Sequence, residues 1–212
     1  SRGDYYWEEY HIFFFLCLVI TMGPKYPDFR INAEPAAIKT CNDDTNGATV
    51  NLTSINEYAE PVTLSASSVP GFATTFAVNP LTPPGSTTAT IAGNGTAATG
   101  TKTLVLTGTS GSLIHTAEIE LAIFTPITNG PQLVMPLNNS KDISPRPTFT
   151  WTTSGNAETY RLQVATDPGF SNIVFDRSGI VGTSFTLTMS LATDTQYRWR
   201  VYAENICGNV IS

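Results

Sequence analysis

The feature that most constrains the fold of this chain is residues 145–164, which read PRPTFTWTTSGNAETYRLQV. Strand side chains point to alternate faces, so the two runs in this stretch each predict a β-strand with one buried face. Because Ser-Gly-Asn at residues 154–156 is typical of a turn, the runs are predicted to form a hairpin at the centre of a sandwich core. The apolar positions of the two runs are Phe149, Trp151, Tyr160, Leu162 and Val164.

The composition favours many short strands. Only 13% of the 212 residues are charged, while glycine and proline, which punctuate turns, occur 16 and 14 times. The formal net charge is −6, and neither lysine nor arginine clusters along the sequence. Since phosphate binding needs a basic patch, this charge argues against a nucleic-acid partner. The sequence therefore predicts an all-β protein that does not bind nucleic acid.

Residues 29–125 consist of short strand patterns between turn clusters and are predicted to form one domain. Seven or eight strands in about a hundred residues is typical of an immunoglobulin-like sandwich. The predicted hairpin loop at residues 42–47 contains Asn-Gly, a strong turn signal. Strands are predicted at residues 29–33, 38–41, 48–54, 62–66, 74–78, 87–91, 102–107 and 114–124.

Three segments of this first domain carry a resemblance to a known repeat. They read PDFRINAEPAAIKTC, EPVTLSASSVPGFATTFAVNPLTPPGSTTATI and GTKTLVLTGTSGSLIHTAEIELAI. They resemble an Ig-like β-sandwich repeat of secreted, multidomain bacterial proteins. The resemblance implies the sandwich fold and an exported protein, but it implies no activity.

Residues 126–131, with two prolines and a glycine in the range, are predicted to be a linker to a second sandwich at residues 132–212. TDTQYRWRVYAEN and LQVATDPGFSNIVFD resemble the strands of fibronectin type III-like domains. Further strands are predicted at residues 173–176, 184–188 and 196–204. The last strand of that fold is expected to be missing after the loop at residues 205–209, which predicts a truncated, aggregation-prone domain with an unpaired edge.

Residues 1–28 differ in composition from the rest of the chain and are predicted to be irregular or artefactual. The apolar run at residues 12–22 is shorter than the roughly 20 residues of a membrane-spanning helix. Three interpretations stay open: an irregular tail or the end of a preceding domain, a damaged or out-of-frame stretch at the edge of a partial sequence, or a membrane-associating segment. Arg2-Gly3-Asp4 spells the integrin-binding tripeptide, which three residues also spell by chance.

The three cysteines, Cys17, Cys41 and Cys207, lie far apart and have no metal-binding spacing. Three cysteines cannot all pair within one chain, so free thiols are the preferred interpretation. A bridge between Cys41 and Cys207 would have to join the two predicted domains, and the sequence analysis therefore disfavours it.

No catalytic, cofactor or metal site emerges from the motifs. The two histidines, His11 and His115, have no ligand partner at metal-binding spacing. Residues 108–112 lack the closing glycine of a nucleophile elbow, and residues 93–95 lack the third glycine of a dinucleotide loop. Residues 42–44 lack the alternating oxygen ligands of a calcium loop and are interpreted as a solvated turn. The chain is therefore predicted not to be an enzyme.

The sequence favours two tandem sandwiches that act as non-catalytic spacer or interaction modules of a larger exported bacterial protein. The resemblance implies parents such as secreted metallopeptidases or adhesins, with any catalytic domain outside this chain. The expected partners are neighbouring domains of the same polypeptide, and a polysaccharide or protein surface. The alternative function is carbohydrate binding through exposed aromatic side chains, with Phe170 and Tyr202 as the candidate stacking residues beside Phe175 and Phe185.

Overall fold

The computed structural model describes residues 26–212. The predictions for residues 1–25, among them Arg2-Gly3-Asp4, His11 and Cys17, fall outside this range. Between residues 26 and 212 no helix is long and apolar enough to cross a membrane. The described residues form strands and turns only, as the sequence predicts.

Eight strands form the first sandwich, close to the predicted positions. They are β1 (Asp28–Glu34), β2 (Ala37–Cys41), β3 (Thr45–Ile55), β4 (Thr63–Ala66), β5 (Phe72–Phe76), β6 (Gly85–Gly93), β7 (Gly100–Ser110) and β8 (Leu113–Phe124). Two four-stranded sheets, ordered β1-β3-β6-β5 and β2-β8-β7-β4, pack face to face. The hairpin predicted around residues 42–47 is wrong, because β2 and β3 belong to opposite sheets and do not pair. The loop is also shorter than predicted, since Asn46 and Gly47 already lie in β3.

The first core consists of the inward side chains of both sheets. Alternation holds along the strands; Phe29, Val50 and Leu121, for example, are fully buried or nearly so. The N-terminal segment contributes to both sheets, since β1 pairs with β3 while β2 runs parallel to β8. That parallel pairing places Cys41 opposite Phe124, at the point where the chain leaves the first sandwich.

Seven strands form the second sandwich. One sheet has the order β13-β10-β9, and the other has the order β12-β11-β14-β15. The buried side chains between them form a cluster that shares no residue with the first core. The strands are β9 (Leu133–Met135), β10 (Thr148–Trp151), β11 (Thr159–Ala165), β12 (Ile173–Ile180), β13 (Ser184–Thr186), β14 (Arg198–Asn205) and β15 (Gly208–Ile211).

The hairpin predicted for residues 145–164 is wrong, although both of its strands exist. Strand β10 belongs to the three-stranded sheet and β11 to the four-stranded sheet, so the two strands do not pair. Both still bury their alternating apolar side chains in the same core. Alternation identifies the buried face of a strand, but in a sandwich strands of either sheet bury a face in the one core. The connection at residues 152–158 therefore crosses between sheets.

The prediction that the last strand is missing is also corrected. Strand β15 follows the loop after β14 and pairs with it, from Tyr202 opposite Ile211 to Asn205 opposite Gly208. The turn between them is short because Asn205 accepts a hydrogen bond from the Cys207 backbone N–H at 2.8 Å. Residues 208 and 209, interpreted as loop from the sequence, are therefore already strand, and β14 has a partner on both sides from Tyr202 to Glu204.

Residues 126–131, predicted as a linker, lie against the second sandwich. Ile127 is buried in the second core. Gly130 packs so closely on the Ile211 carbonyl oxygen that a Cβ at this position would clash with it. This segment therefore passes along strand β15, which keeps the path between the sandwiches short.

Candidate functional site

The junction between the sandwiches contains a disulfide bond, Cys41–Cys207, which the sequence analysis disfavoured. The two cysteines are 166 residues apart in sequence, and their Cα atoms are 5.1 Å apart. The expectation failed because separation in sequence says nothing about which ends of two domains meet. Pairing of β2 with β8 brings Cys41 to the end of the first sandwich, and the β14–β15 turn brings Cys207 to the facing end of the second.

Hydrogen bonds around the disulfide join the loops of the second sandwich to the connecting segment. The Asn205 amide donates to the Thr125 carbonyl oxygen at 3.0 Å and to the Asn156 carbonyl oxygen at 2.9 Å. The Asn156 amide donates to the Thr125 hydroxyl at 2.7 Å. Thr125 is thus bonded through both its backbone and its side chain, and the connection at this point is fixed rather than loose.

One ion pair also crosses the junction. Lys39 Nζ of the first sandwich lies 2.6 Å from Glu158 Oε1 of the second. Because both side chains retain solvent access, the pair contributes little to stability, about 0–1 kcal/mol. It is one contact between the two domains beside the disulfide. The open cleft beside it is lined by Lys39, Glu158, Thr159, Glu204, Asn205 and Ile206.

The two predicted stacking residues, Phe170 and Tyr202, lie near each other on the outer side of the four-stranded sheet of the second sandwich. Both are half-buried. The Arg200 guanidinium lies between them in contact distance, with its Cζ 4.0 Å from the Phe170 ring centroid and 5.1 Å from the Tyr202 centroid. A guanidinium over an aromatic face is a cation–π contact. The structure therefore brings the two rings together through an arginine that the sequence analysis did not single out.

Three arginines share this outer side of the sheet. Arg161 is opposite Tyr202, and Arg198 and Arg200 occupy alternate positions on the same strand as Tyr202. The absence of a basic cluster along the sequence therefore does not carry over to the folded surface. We call this surface the arginine face, defined by Arg161, Gln163, Phe170, Arg198, Arg200 and Tyr202.

A hydrogen-bonded network holds the arginine face in place. Arg161 donates two bonds to the Asp176 carboxylate, at 2.7 and 2.5 Å. Buried Gln163 donates to Asp176 at 2.9 Å and accepts from Arg200 Nε at 2.8 Å. The bidentate bond to Arg161 and the Gln163 amide hold the pKa of Asp176 below its ordinary value of 3.8. Both guanidinium groups are thereby held in fixed orientations.

The loop that carries Phe170 is held by Asp167. Its carboxylate accepts hydrogen bonds from the backbone N–H groups of Ser171, at 3.0 Å, and Asn172, at 2.7 Å. These bonds also lower the pKa of Asp167. Phe170 itself has a positive φ of 55°, which a non-glycine residue adopts only rarely. The turn therefore positions this ring over the sheet.

The other residues singled out in the sequence have structural surroundings. Phe175 and Phe185, 5.5 Å apart between ring centroids, pack against the second core. His115 Nε2 lies 2.7 Å from Asp28 Oδ1, and the hydrogen bond lowers the pKa of this carboxyl group. Within residues 26–212 no group of three or more His, Cys, Asp or Glu side chains is arranged to hold a metal ion.

We predict that the network around Asp176 makes the second sandwich acid-sensitive. Because the folded-state pKa of Asp176 lies below its ordinary value of 3.8, the ionised carboxylate stabilises the fold above about pH 4. That stability is lost as the pH falls through the folded-state pKa. The urea midpoint of the wild type is expected to fall between pH 7 and pH 3 by more than that of Asp176→Asn. Equal falls in both proteins would contradict the prediction.

Comparison with known proteins identifies the fold of this chain and nothing beyond it. No family model matches it, and no curated protein matches it. Its neighbours are solved immunoglobulin-like and fibronectin-type domains. An I-band fragment of titin aligns with 90% of this chain and 64% of its own, at 13% identity and a TM-score of 0.51. The likeness to titin confirms the tandem all-β sandwich fold and, at this identity, shows nothing further.

Two other structures align at lower scores. The FN1–FN3 domains of chicken CNTN1 align with 89% of this chain and 63% of theirs, at 12% identity and a TM-score of 0.46. Domains 4 and 5 of the S-layer protein SbsC align with 46% of this chain and 53% of theirs, at 12% identity and a TM-score of 0.35. The chain spans less than two thirds of the length of each of these three structures.

Proposed function

We propose that this chain is a non-catalytic spacer in which two sandwiches are locked into one rigid unit of a larger exported protein. The observation that carries the proposal is the Cys41–Cys207 disulfide across the junction. Two domains joined only by a linker move relative to one another by default. Here a covalent bond, the hydrogen bonds to Thr125 and the Lys39–Glu158 pair all oppose that motion.

The units of this spacer are the Ig-like sandwich at residues 29–125 and the fibronectin type III-like sandwich at residues 132–212. The separate cores support this division. Stiff modules hold a neighbouring domain at a fixed distance from a surface, which suits a stalk of an adhesin or an accessory segment of a secreted metallopeptidase. The neighbouring domains of the same polypeptide are then its partners.

The disulfide also supports export. Disulfides persist in oxidising compartments and are rare in the cytosol, where thiols are kept reduced. The resemblance of residues 27–41, 60–91 and 100–123 to repeats of secreted bacterial proteins supports the same location. We therefore propose that the protein lies outside the cytoplasm, at the cell surface or in the medium of a bacterium.

Small-angle X-ray scattering of the purified chain tests the spacer function. With the disulfide intact, one conformation is expected to account for the scattering curve. After reduction and alkylation, the distribution of interatomic distances is expected to broaden, because the domains are then held by weaker contacts. An oxidised chain that needs an ensemble of domain orientations would contradict the proposal. So would hydrolase activity that a single substitution abolishes.

Ligand binding on the arginine face is the second candidate function. The observation that favours it is the arrangement of Arg200 between the rings of Phe170 and Tyr202. These are the two residues that the sequence analysis selected for carbohydrate binding. A spacer role alone does not require a fixed, partly exposed cluster of arginine and aromatic side chains.

A further inference from the structure

The arginine face carries a small excess of positive charge in an acidic chain. Residues 126–212 contain six lysines and arginines and six aspartates and glutamates, so the second sandwich is neutral overall. Three of the six cations, Arg161, Arg198 and Arg200, lie on this one side of one sheet. Asp176 and Glu204 share that side, and Asp176 is paired with Arg161. The side therefore carries one net positive charge, and Arg198 and Arg200 are the cations that complement an anion there.

Arg200 is the arginine of this surface whose guanidinium is already oriented to donate hydrogen bonds to a ligand. Its Nε is bonded to Gln163, and its plane is held against Phe170 and Tyr202. Its two terminal amino groups make no hydrogen bond to the described part of the chain, and no carboxylate there lies within ion-pair distance. A guanidinium fork presents two parallel N–H groups that match a carboxylate. Because its rotamer is already fixed, binding would cost little additional side-chain entropy.

The same geometry argues against stacking of a neutral sugar. Arg200 covers a face of the Phe170 ring, and Tyr202 has Arg200 and Arg161 within 5.1 and 5.9 Å of its centroid. The faces of both rings are therefore in contact with arginines, and these contacts orient the guanidinium groups. What the surface offers to a ligand is N–H donors, so the ligand should be anionic.

The position of the arginine face on the sheet favours a polysaccharide over an acidic peptide as the ligand. Arg161 and Gln163 project from β11, which is paired with β12 on one side and β14 on the other. A peptide bound by strand addition needs free main-chain partners at a sheet edge. A polysaccharide needs only side-chain donors on a flat face.

We infer that the arginine face binds an acidic polysaccharide, with a uronate carboxylate bonded to the terminal amino groups of Arg200. Arg198 supplies additional positive charge to a neighbouring carboxylate of the polymer, whereas Arg161 is already paired with Asp176. The inference goes beyond the spacer function and does not depend on it, because scattering reports domain motion and binding reports this surface.

Isothermal titration calorimetry with sodium polygalacturonate at low ionic strength tests the inference. The wild-type chain is expected to bind, and Arg200→Gln to weaken the affinity at least about tenfold through loss of the charged fork. Arg200→Lys keeps the charge but not the fork and should fall between the two. The matched control is Arg146→Gln, an exposed arginine of the same sandwich bonded to Ser190, which should change affinity less than about twofold.

Several outcomes would overturn the inference. They are no binding of polygalacturonate, equal binding by wild type and Arg200→Gln, or equal binding of neutral dextran. An equal affinity for poly-glutamate would overturn the polysaccharide as the ligand in favour of an acidic peptide. Thermal melting of every variant shows whether a loss reflects unfolding. If Arg200→Gln is unfolded, Arg198→Gln replaces it, with an expected loss of a few fold and an unchanged affinity as the contradicting result.

Discussion

The double variant Cys41→Ser/Cys207→Ser is expected to unfold in two separate thermal transitions, with the less stable sandwich losing about 2–4 kcal/mol of unfolding free energy. In the wild type the second sandwich is attached to the first at Thr125 and again at Cys207. If it unfolds alone, its chain of roughly 80 residues stays closed into a loop, which restricts the unfolded ensemble. Without the disulfide that restriction is lost.

Differential scanning calorimetry of the oxidised wild type and the double variant measures this effect. A reductant should shift the wild type toward the variant and leave the variant unchanged, which serves as the internal control. If the oxidised wild type and the double variant melt at the same temperatures, the disulfide does not couple the sandwiches. The rigid-spacer function then loses its main support.

Alternation and turn residues were sufficient to predict the strands other than β9 and β15. The run from Ile119 to Ile123 and the run from Tyr197 to Ala203 each show which side chains are buried, and the structure buries Ile119, Leu121, Ile123, Val201 and Ala203. Local pattern determines these features because burial of one strand face is a property of neighbouring residues. The same information also predicted the tandem sandwich architecture.

Pairing over long distances was not predictable in this way. The separation of β10 from β11 into opposite sheets, and the meeting of Cys41 with Cys207, depend on how whole sheets and domain ends are placed. The arginine face was not predictable for the same reason, since Arg161 and Arg200 come from different strands. The sequence did contain one indication of this surface, since Arg198 and Arg200 occupy outward positions of the alternating run that forms β14.

Trp151→Ala is expected to destabilise the second sandwich by about 3–5 kcal/mol, enough to leave it largely unfolded if its stability is near the lower end for small domains. Trp151 is 3% exposed, and its ring centroid lies 5.6 Å from that of Tyr160. Because β10 and β11 belong to opposite sheets, this contact packs one sheet on the other. Truncation would therefore leave a cavity between the two layers.

Urea unfolding followed by circular dichroism measures this loss, and two further variants identify its cause. Trp199→Ala removes a half-buried indole that contacts Phe149 at 4.9 Å between centroids, and its cost should be smaller. Trp151→Phe keeps most of the buried ring. Since Trp151 Nε1 has no hydrogen-bond partner among residues 26–212, this change should cost less than about 1.5 kcal/mol. If Trp151→Phe is as damaging as Trp151→Ala, the prediction fails, because a buried phenyl ring would then not preserve the packing between the sheets.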